Sequence, residues 1–169
     1  VEPRTCDLGS EGDRYRYVPI LRLLAKLCEN PDIAARLMTP QAIHDEPEVY
    51  RSFSDGILFQ DFMNLIPDGA QYTIFILLYS DQVEICNPLG PKRGVHKLLA
   101  VYFTLLNLHP RHRSQLRFFY LVLLVKCDDV QKYGLDNILS PLICDLNELR
   151  AYGLRCMSIE AAQNAQVFV

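Results

Sequence analysis

The chain has 169 residues, half of them hydrophobic and 22% charged, and a formal net charge of −3. That length can bury a sizeable core in one domain, and that hydrophobic share excludes a disordered chain. The longest apolar runs, Tyr72 to Tyr79 and Phe118 to Val125, are eight residues each, against the roughly 20 that a membrane-crossing helix needs.

The opening residues, 1 to 14, are polar, contain Gly9 and Gly12 and show no period, so they read as a mobile lead-in. From Val18 to Cys28 the apolar positions 18, 20, 21, 24, 27 and 28 share one helical face. Asn30-Pro31 reads as a cap and first-turn proline of a short helix that turns Ile33, Leu37 and Met38 inward and stops at Pro40. A polar loop follows. Ser54-Asp55-Gly56 then introduces an amphipathic piece, Ile57 to Ile66, closed by Pro67-Asp68-Gly69.

At Tyr72 the pattern turns extended, and residues 1–66 and 67–169 divide there into a helical N-terminal region and a sheet-bearing core. Tyr72 to Tyr79 is almost wholly apolar, which predicts a strand buried on both faces, with Asp81 at its carboxyl end. Val83 to Cys86 is a short continuation or a hairpin arm, and Asn87-Pro88-Leu89-Gly90-Pro91 forms a loop. A second strand runs from Lys97 to Leu108, a basic turn from His109 to Arg113 and a third strand from Arg117 to Lys126. Helical spacing returns from Leu135 to Leu149. Ser140-Pro141 either kinks that helix or starts a second one, the latter being favoured by the cap, and Gly153 stops it. Ala165 to Val169 opens a fourth strand. Short connections make the first three strands antiparallel, and the helical crossover sets the fourth parallel to its partner.

Charge and cysteine placement narrow the chemistry. Residues 1–66 carry eleven acids and seven bases, whereas Pro91 to Arg117 carries six bases and no acid. Lys92, Arg93, Lys97, Arg111 and Arg113 of that stretch are candidate contacts for nucleic-acid phosphates, or else bases that keep strand edges soluble. The six cysteines are scattered, with no CxxC, which predicts a reduced, intracellular protein, nuclear or cytoplasmic. Neither GxSxG nor a phosphate-cradling glycine loop is present. Asp128 and Asp129 read as a solvated pair at a strand end or helix start, two strands from Asp81 and about 10 Å away. His96 and the pair His109 and His112 lie at opposite ends of the second strand and read as surface residues. The sequence begins at Val1, with no leader pattern, and reads as a segment of something longer.

Several short motifs, taken in order, carry a resemblance. Phe53-Ser54-Asp55-Gly56, Tyr79-Ser80-Asp81, Asn87-Pro88-Leu89-Gly90, Asn107-Leu108-His109-Pro110, Lys132-Tyr133-Gly134 and Pro141-Leu142-Ile143-Cys144-Asp145-Leu146 resemble CACTA-type (En/Spm-like) DDE transposases and their animal relatives, over roughly residues 50 to 153. The resemblance implies an α/β fold with a ribonuclease H-like mixed sheet, metal-dependent DNA cleavage and strand transfer in the lineage, and Asp81 as first catalytic metal ligand for Mg2+ or Mn2+. Two departures stand out. His109 replaces a proline of the family's Asn-Leu-Pro-Pro, and the second and third acids would lie beyond Val169. Only one of three ligands is then present, so no metal is expected on this chain alone. The alternative reading is a domesticated, inactive module that binds DNA or a protein partner, with Asp81 as a turn residue.

Overall fold

A computed structural model describes residues 1–9, 12–37, 52–66, 72–85, 96–154 and 165–168. Its first element corrects the lead-in reading. Strands β1 (Arg4–Leu8) and β2 (Asp13–Tyr17) form an antiparallel hairpin. Their polar surface hid a period of two: Leu8, Tyr15 and Tyr17 are buried, while the cross-strand pairs Asp7–Arg14 and Thr5–Arg16 take the other face. Gly9 and Gly12, both left-handed with φ of 63° and 79°, supply the backbone that the turn requires. The N-terminal stretch is therefore not purely helical.

Helix α1 (Ile20–Glu29) buries Ile20, Leu24, Leu27 and Cys28, the face read from its spacing. In α2 (Pro31–Ala34) the Asn30 side chain accepts from the Asp32 N–H at 3.0 Å and Pro31 takes the first position, as expected. A 3-10 turn (Phe53–Asp55) leads into α3 (Ile57–Asn64), which buries only Phe59. Met38 and the Pro67-Asp68-Gly69 turn lie outside the described residues.

Strands β3 (Tyr72–Glu84), β4 (Lys97–Leu105) and β5 (Tyr120–Lys126) are antiparallel neighbours, and β6 (Ala165–Phe168) lies parallel to β3. The sheet order is β1-β2-β5-β4-β3-β6. Five strands are thus antiparallel in sequence across the sheet, and the sixth returns after the helices. The directions expected of the last four strands hold, while the β5 edge is extended by the unexpected hairpin.

Two strand readings need correction. Burial of β3 on both faces is confined to Ile74, Phe75 and Ile76, whereas Leu77 and Tyr79 are exposed. The apolar run belongs to a strand whose first half is covered on one face by the helices and on the other by Phe53 and Phe59, which meet Phe75 at ring distances of 5.6 and 5.4 Å. Nor does β3 end at Asp81. It continues unbroken to Glu84, with Asp81 opposite Ala100 of β4.

β4 leaves the sheet earlier than its apolar run suggested, and Asn107 explains how. Its carboxamide, buried to 2% exposure, accepts from Phe75 N–H at 2.7 Å and donates to Thr73 C=O at 2.8 Å. The side chain thus continues the pairing of β3 after the β4 backbone has turned away. Leu108 then enters the core and forms a single antiparallel bridge to Leu37. Pro110–Arg113 forms the short helix α4, and a 3-10 turn, Leu116–Phe118, delays the third strand to Tyr120.

After β5 come α5 (Cys127–Tyr133) and α6 (Leu135–Tyr152). The break falls at Gly134, with φ of 82°, and not at Ser140-Pro141. Pro141 removes one backbone bond, but Ile138, Leu142, Leu146 and Leu149 form a buried stripe on both sides of it, which carries α6 through as one helix. Gly153 stops α6, its N–H donating to Leu149 C=O at 2.8 Å.

α1 and α6 pack on one face of the sheet, around Tyr17, Phe103 and Leu123. Tyr17 joins three elements: its hydroxyl donates to Asp145 of α6 at 2.6 Å and accepts from Ile20 N–H of α1 at 3.4 Å. Burial, and then the Asp145 carboxylate, pushes the phenol far above its ordinary range, so it remains a donor throughout alkaline conditions. Tyr17→Phe is expected to destabilise the fold by about 2 kcal/mol, the loss of a hydrogen bond to a charged acceptor. The check is the urea midpoint at unchanged m-value. A shift below about 0.5 kcal/mol would remove Tyr17 from this role.

Candidate functional site

Asp81 projects from the face of the sheet opposite α1 and α6, since it shares the odd positions of β3 with Phe75 and Tyr79. It is exposed, and its Oδ1 accepts the neighbouring Gln82 N–H at 2.8 Å. Among the described residues no group of three or more His, Cys, Asp or Glu side chains is gathered. Mg2+ or Mn2+ held at Asp81 would need further oxygen ligands, and no such group is gathered among the described residues. β4 separates β3 from β5, which keeps Asp128 and Asp129 about 10 Å from the β3 line. Those two acids do begin a helix, α5, but they are not a solvated pair: Asp128 is exposed and Asp129 is buried at 5% exposure, because the third position of α5 turns back onto the sheet.

Around Asp81 the sheet face is aromatic. Tyr79 stacks on Tyr102 with centroids 5.4 Å apart and planes at 20°, and Phe119 meets both rings. Leu77, Val83 and Leu121 are exposed beside them. Arg113 lies against this face, with its guanidinium 5.7 Å from the Phe53 centroid. Burial lowers its pKa while Tyr79 pulls the other way, and it remains a cation at neutral pH.

The described bases of the stretch do not form one surface. Lys92 and Arg93 lie outside the described residues. Lys97 starts β4 opposite Glu84, about 30 Å along the strand from the turn that carries Arg111. Arg111 and Arg113 diverge, the second toward Phe53 and the first toward a cluster that sequence reasoning missed. In that cluster Arg111 N–H donates to His109 Nδ1 and Arg111 Nε–H donates to His112 Nε2, each at 3.2 Å. His109 and His112 rings lie 6.3 Å apart, His112 packs edge-on against Phe118 at 5.7 Å, and Arg117 covers the other ring contact of Phe118 at 4.8 Å. Arg36 is delivered from the end of α2 by the Leu37–Leu108 bridge. Burial first, then Arg111, Arg36, Arg117 and His109, holds the His112 pKa below its ordinary value. The Asn-Leu-His-Pro motif was the available signal: Asn107 and Leu108 anchor the turn, His109 caps α4 and Pro110 takes its first position. Arg36 had no signal, because only the fold brings it there.

The other motifs that carry the resemblance also hold architecture. Asp55 accepts from Ser52 N–H at 2.9 Å, and Lys132 and Tyr133 both donate to Asp13, at 2.9 and 2.8 Å. The Lys132 and Tyr133 bonds hold the Asp13 carboxyl below its usual range. Gly134 separates α5 from α6, and Asp145 receives Tyr17. The Asn87-Pro88-Leu89-Gly90 motif lies outside the described residues. Among the described cysteines, Cys28 is buried, Cys6 and Cys127 are half-buried and Cys144 is exposed. No helix of the described residues is long and apolar enough to cross a membrane. No protein-family model, curated protein or solved structure matches the chain.

His112 sets a sign for the acid response of the free protein. Its folded pKa is depressed, so its contribution is fully present above the unfolded value of about 6.5 and is lost as pH falls through the folded value. The unfolding midpoint is expected to fall between about pH 7 and 5 and to fall less in His112→Gln. An equal fall in both proteins would exclude His112 as the cause.

Proposed function

We propose that the chain is a ribonuclease H-like domain of transposase descent that acts as a nucleic-acid-binding module and not as a nuclease. The observation that carries this reading is the order β5-β4-β3-β6, in which three antiparallel neighbours are followed by a helical crossover and a strand returning parallel to the first of them. This is the arrangement that the resemblance leads one to expect, and Asn107-Leu108-His109-Pro110 and Gly134 stand at joints between its elements. In the lineage, Asp81 would serve as the first ligand of a metal that cuts and joins DNA. In this chain Asp81 lies within a ladder, solvated, and the cationic cluster of Arg36, Arg111 and Arg117 is the surface suited to phosphate. A nuclear location accords with such a partner.

Binding of a short DNA duplex is expected to weaken with salt. Each phosphate engaged contributes about −0.9 to the slope of log affinity against log salt, so three arginines give about −3. Arg111→Gln with Arg117→Gln should reduce that slope by about 2. A flat salt response would remove the nucleic-acid reading. In a separate measurement, Mg2+ or Mn2+ is expected to leave the unfolding temperature unchanged beyond the effect of ionic strength. Stabilisation that Asp81→Asn abolishes would instead restore a working metal site.

A further inference from the structure

Two histidines in the cationic cluster are used in an unusual way. Arginine and a backbone amide offer only N–H donors, so each nitrogen that they face must be unprotonated. His109 Nδ1 receives the Arg111 amide and His112 Nε2 receives the Arg111 guanidinium. Both imidazoles are therefore neutral acceptors in this geometry, and both serve the same arginine. The proton of neutral His112 is then on Nδ1, which is buried without a hydrogen-bond partner among the described residues. A second proton must enter at Nε2, where it meets Arg111 donor to donor.

Among the described residues, the cations that act on His112 oppose that proton: Arg36 from beyond the end of α2, Arg111 from α4 and Arg117 from the 3-10 turn, with His109 beside them. A bound phosphodiester inverts this balance, because its negative charge screens the three arginines and favours imidazolium. Protonation at Nε2 also breaks the Arg111 bond, which releases the guanidinium toward the phosphate.

We propose that Arg36, Arg111, His112 and Arg117, with His109 holding the Arg111 backbone, form a proton-linked phosphate site, in which polyanion binding transfers a proton from solvent to the His112 imidazole and frees the Arg111 guanidinium. This rests on the nucleic-acid reading for its natural ligand, and it adds that occupancy rises as pH falls. No covalent step is involved. The proton taken up comes from solvent and ends on an imidazole nitrogen.

The test measures affinity for a fluorescent DNA duplex from about pH 8 to 5.5 at fixed ionic strength, a window in which histidines titrate and carboxylates do not. Linkage sets the slope of log affinity against pH at the number of protons taken up, so affinity should rise at least about tenfold across the window. The double variant His109→Gln, His112→Gln retains side-chain acceptors for Arg111 but cannot gain the proton. Whatever its affinity near pH 8, it should show no rise below. In parallel, histidine ring signals of the intact chain are followed by NMR with and without inorganic tripolyphosphate. The His112 titration should move upward when it is added. Duplex binding that does not vary with pH, or a slope that survives in the double variant, overturns the proton linkage while leaving the nucleic-acid reading intact. A tripolyphosphate-induced shift without duplex binding at any pH supports the site and removes nucleic acid as its ligand. Absence of both overturns the two together.

Discussion

The carboxamide of Asn107 holds the sheet together at the point where two of its strands part. β4 cannot both continue beside β3 and supply the turn that carries His109 and Arg111. Without a substitute, the Phe75 N–H and Thr73 C=O would be left unpaired in the interior, at a cost of about 1–3 kcal/mol for each group. One side chain meets both groups. The backbone is thereby free to place Leu108 in the core and against Leu37, and the basic turn takes its position from that anchor. Sheet integrity and the placement of the cationic cluster therefore depend on the same residue.

The parts of the fold that were legible in the sequence are those decided by long local patterns. The stripe of α1, the Asn30-Pro31 start of α2 and the apolar centres of β3, β4 and β5 could each be read without a partner. The hairpin could not, because each strand has five residues and its outer face is made of Asp7, Arg14, Thr5 and Arg16, whose pairing is visible only across the turn. Pro141 misled for a related reason. A proline argues locally for a helix start, but the buried stripe that spans it decides the outcome through contacts made elsewhere. Asp81 was placed at a strand end because polar residues follow the apolar run. Those polar residues belong to the exposed half of one continuous strand, whose partner residues on β4 lie about twenty positions later.

The candidate site follows the same division. A count of bases identified the stretch from Pro91 to Arg117, but charge along a sequence says nothing about which face each base takes. The fold sends Arg113 to an aromatic surface with Phe53, leaves Lys97 at the far end of β4 and gives Arg111 two imidazole partners. The residue with no sequence signal, Arg36, completes the cluster from a different part of the chain. Histidines first read as ordinary surface groups gain their interest from the atoms that they accept, which no spacing rule records.

The two flanks of the sheet differ in kind. On one side β1 presents five residues with Arg4, Thr5 and Asp7 near its rim, a short and charged border of the sort that discourages further pairing. On the other, β6 meets only the first four positions of β3, whose remaining length from Ile76 to Glu84 has no described neighbour on that side. The hairpin thus acts as a stop for lateral growth at the β1 flank.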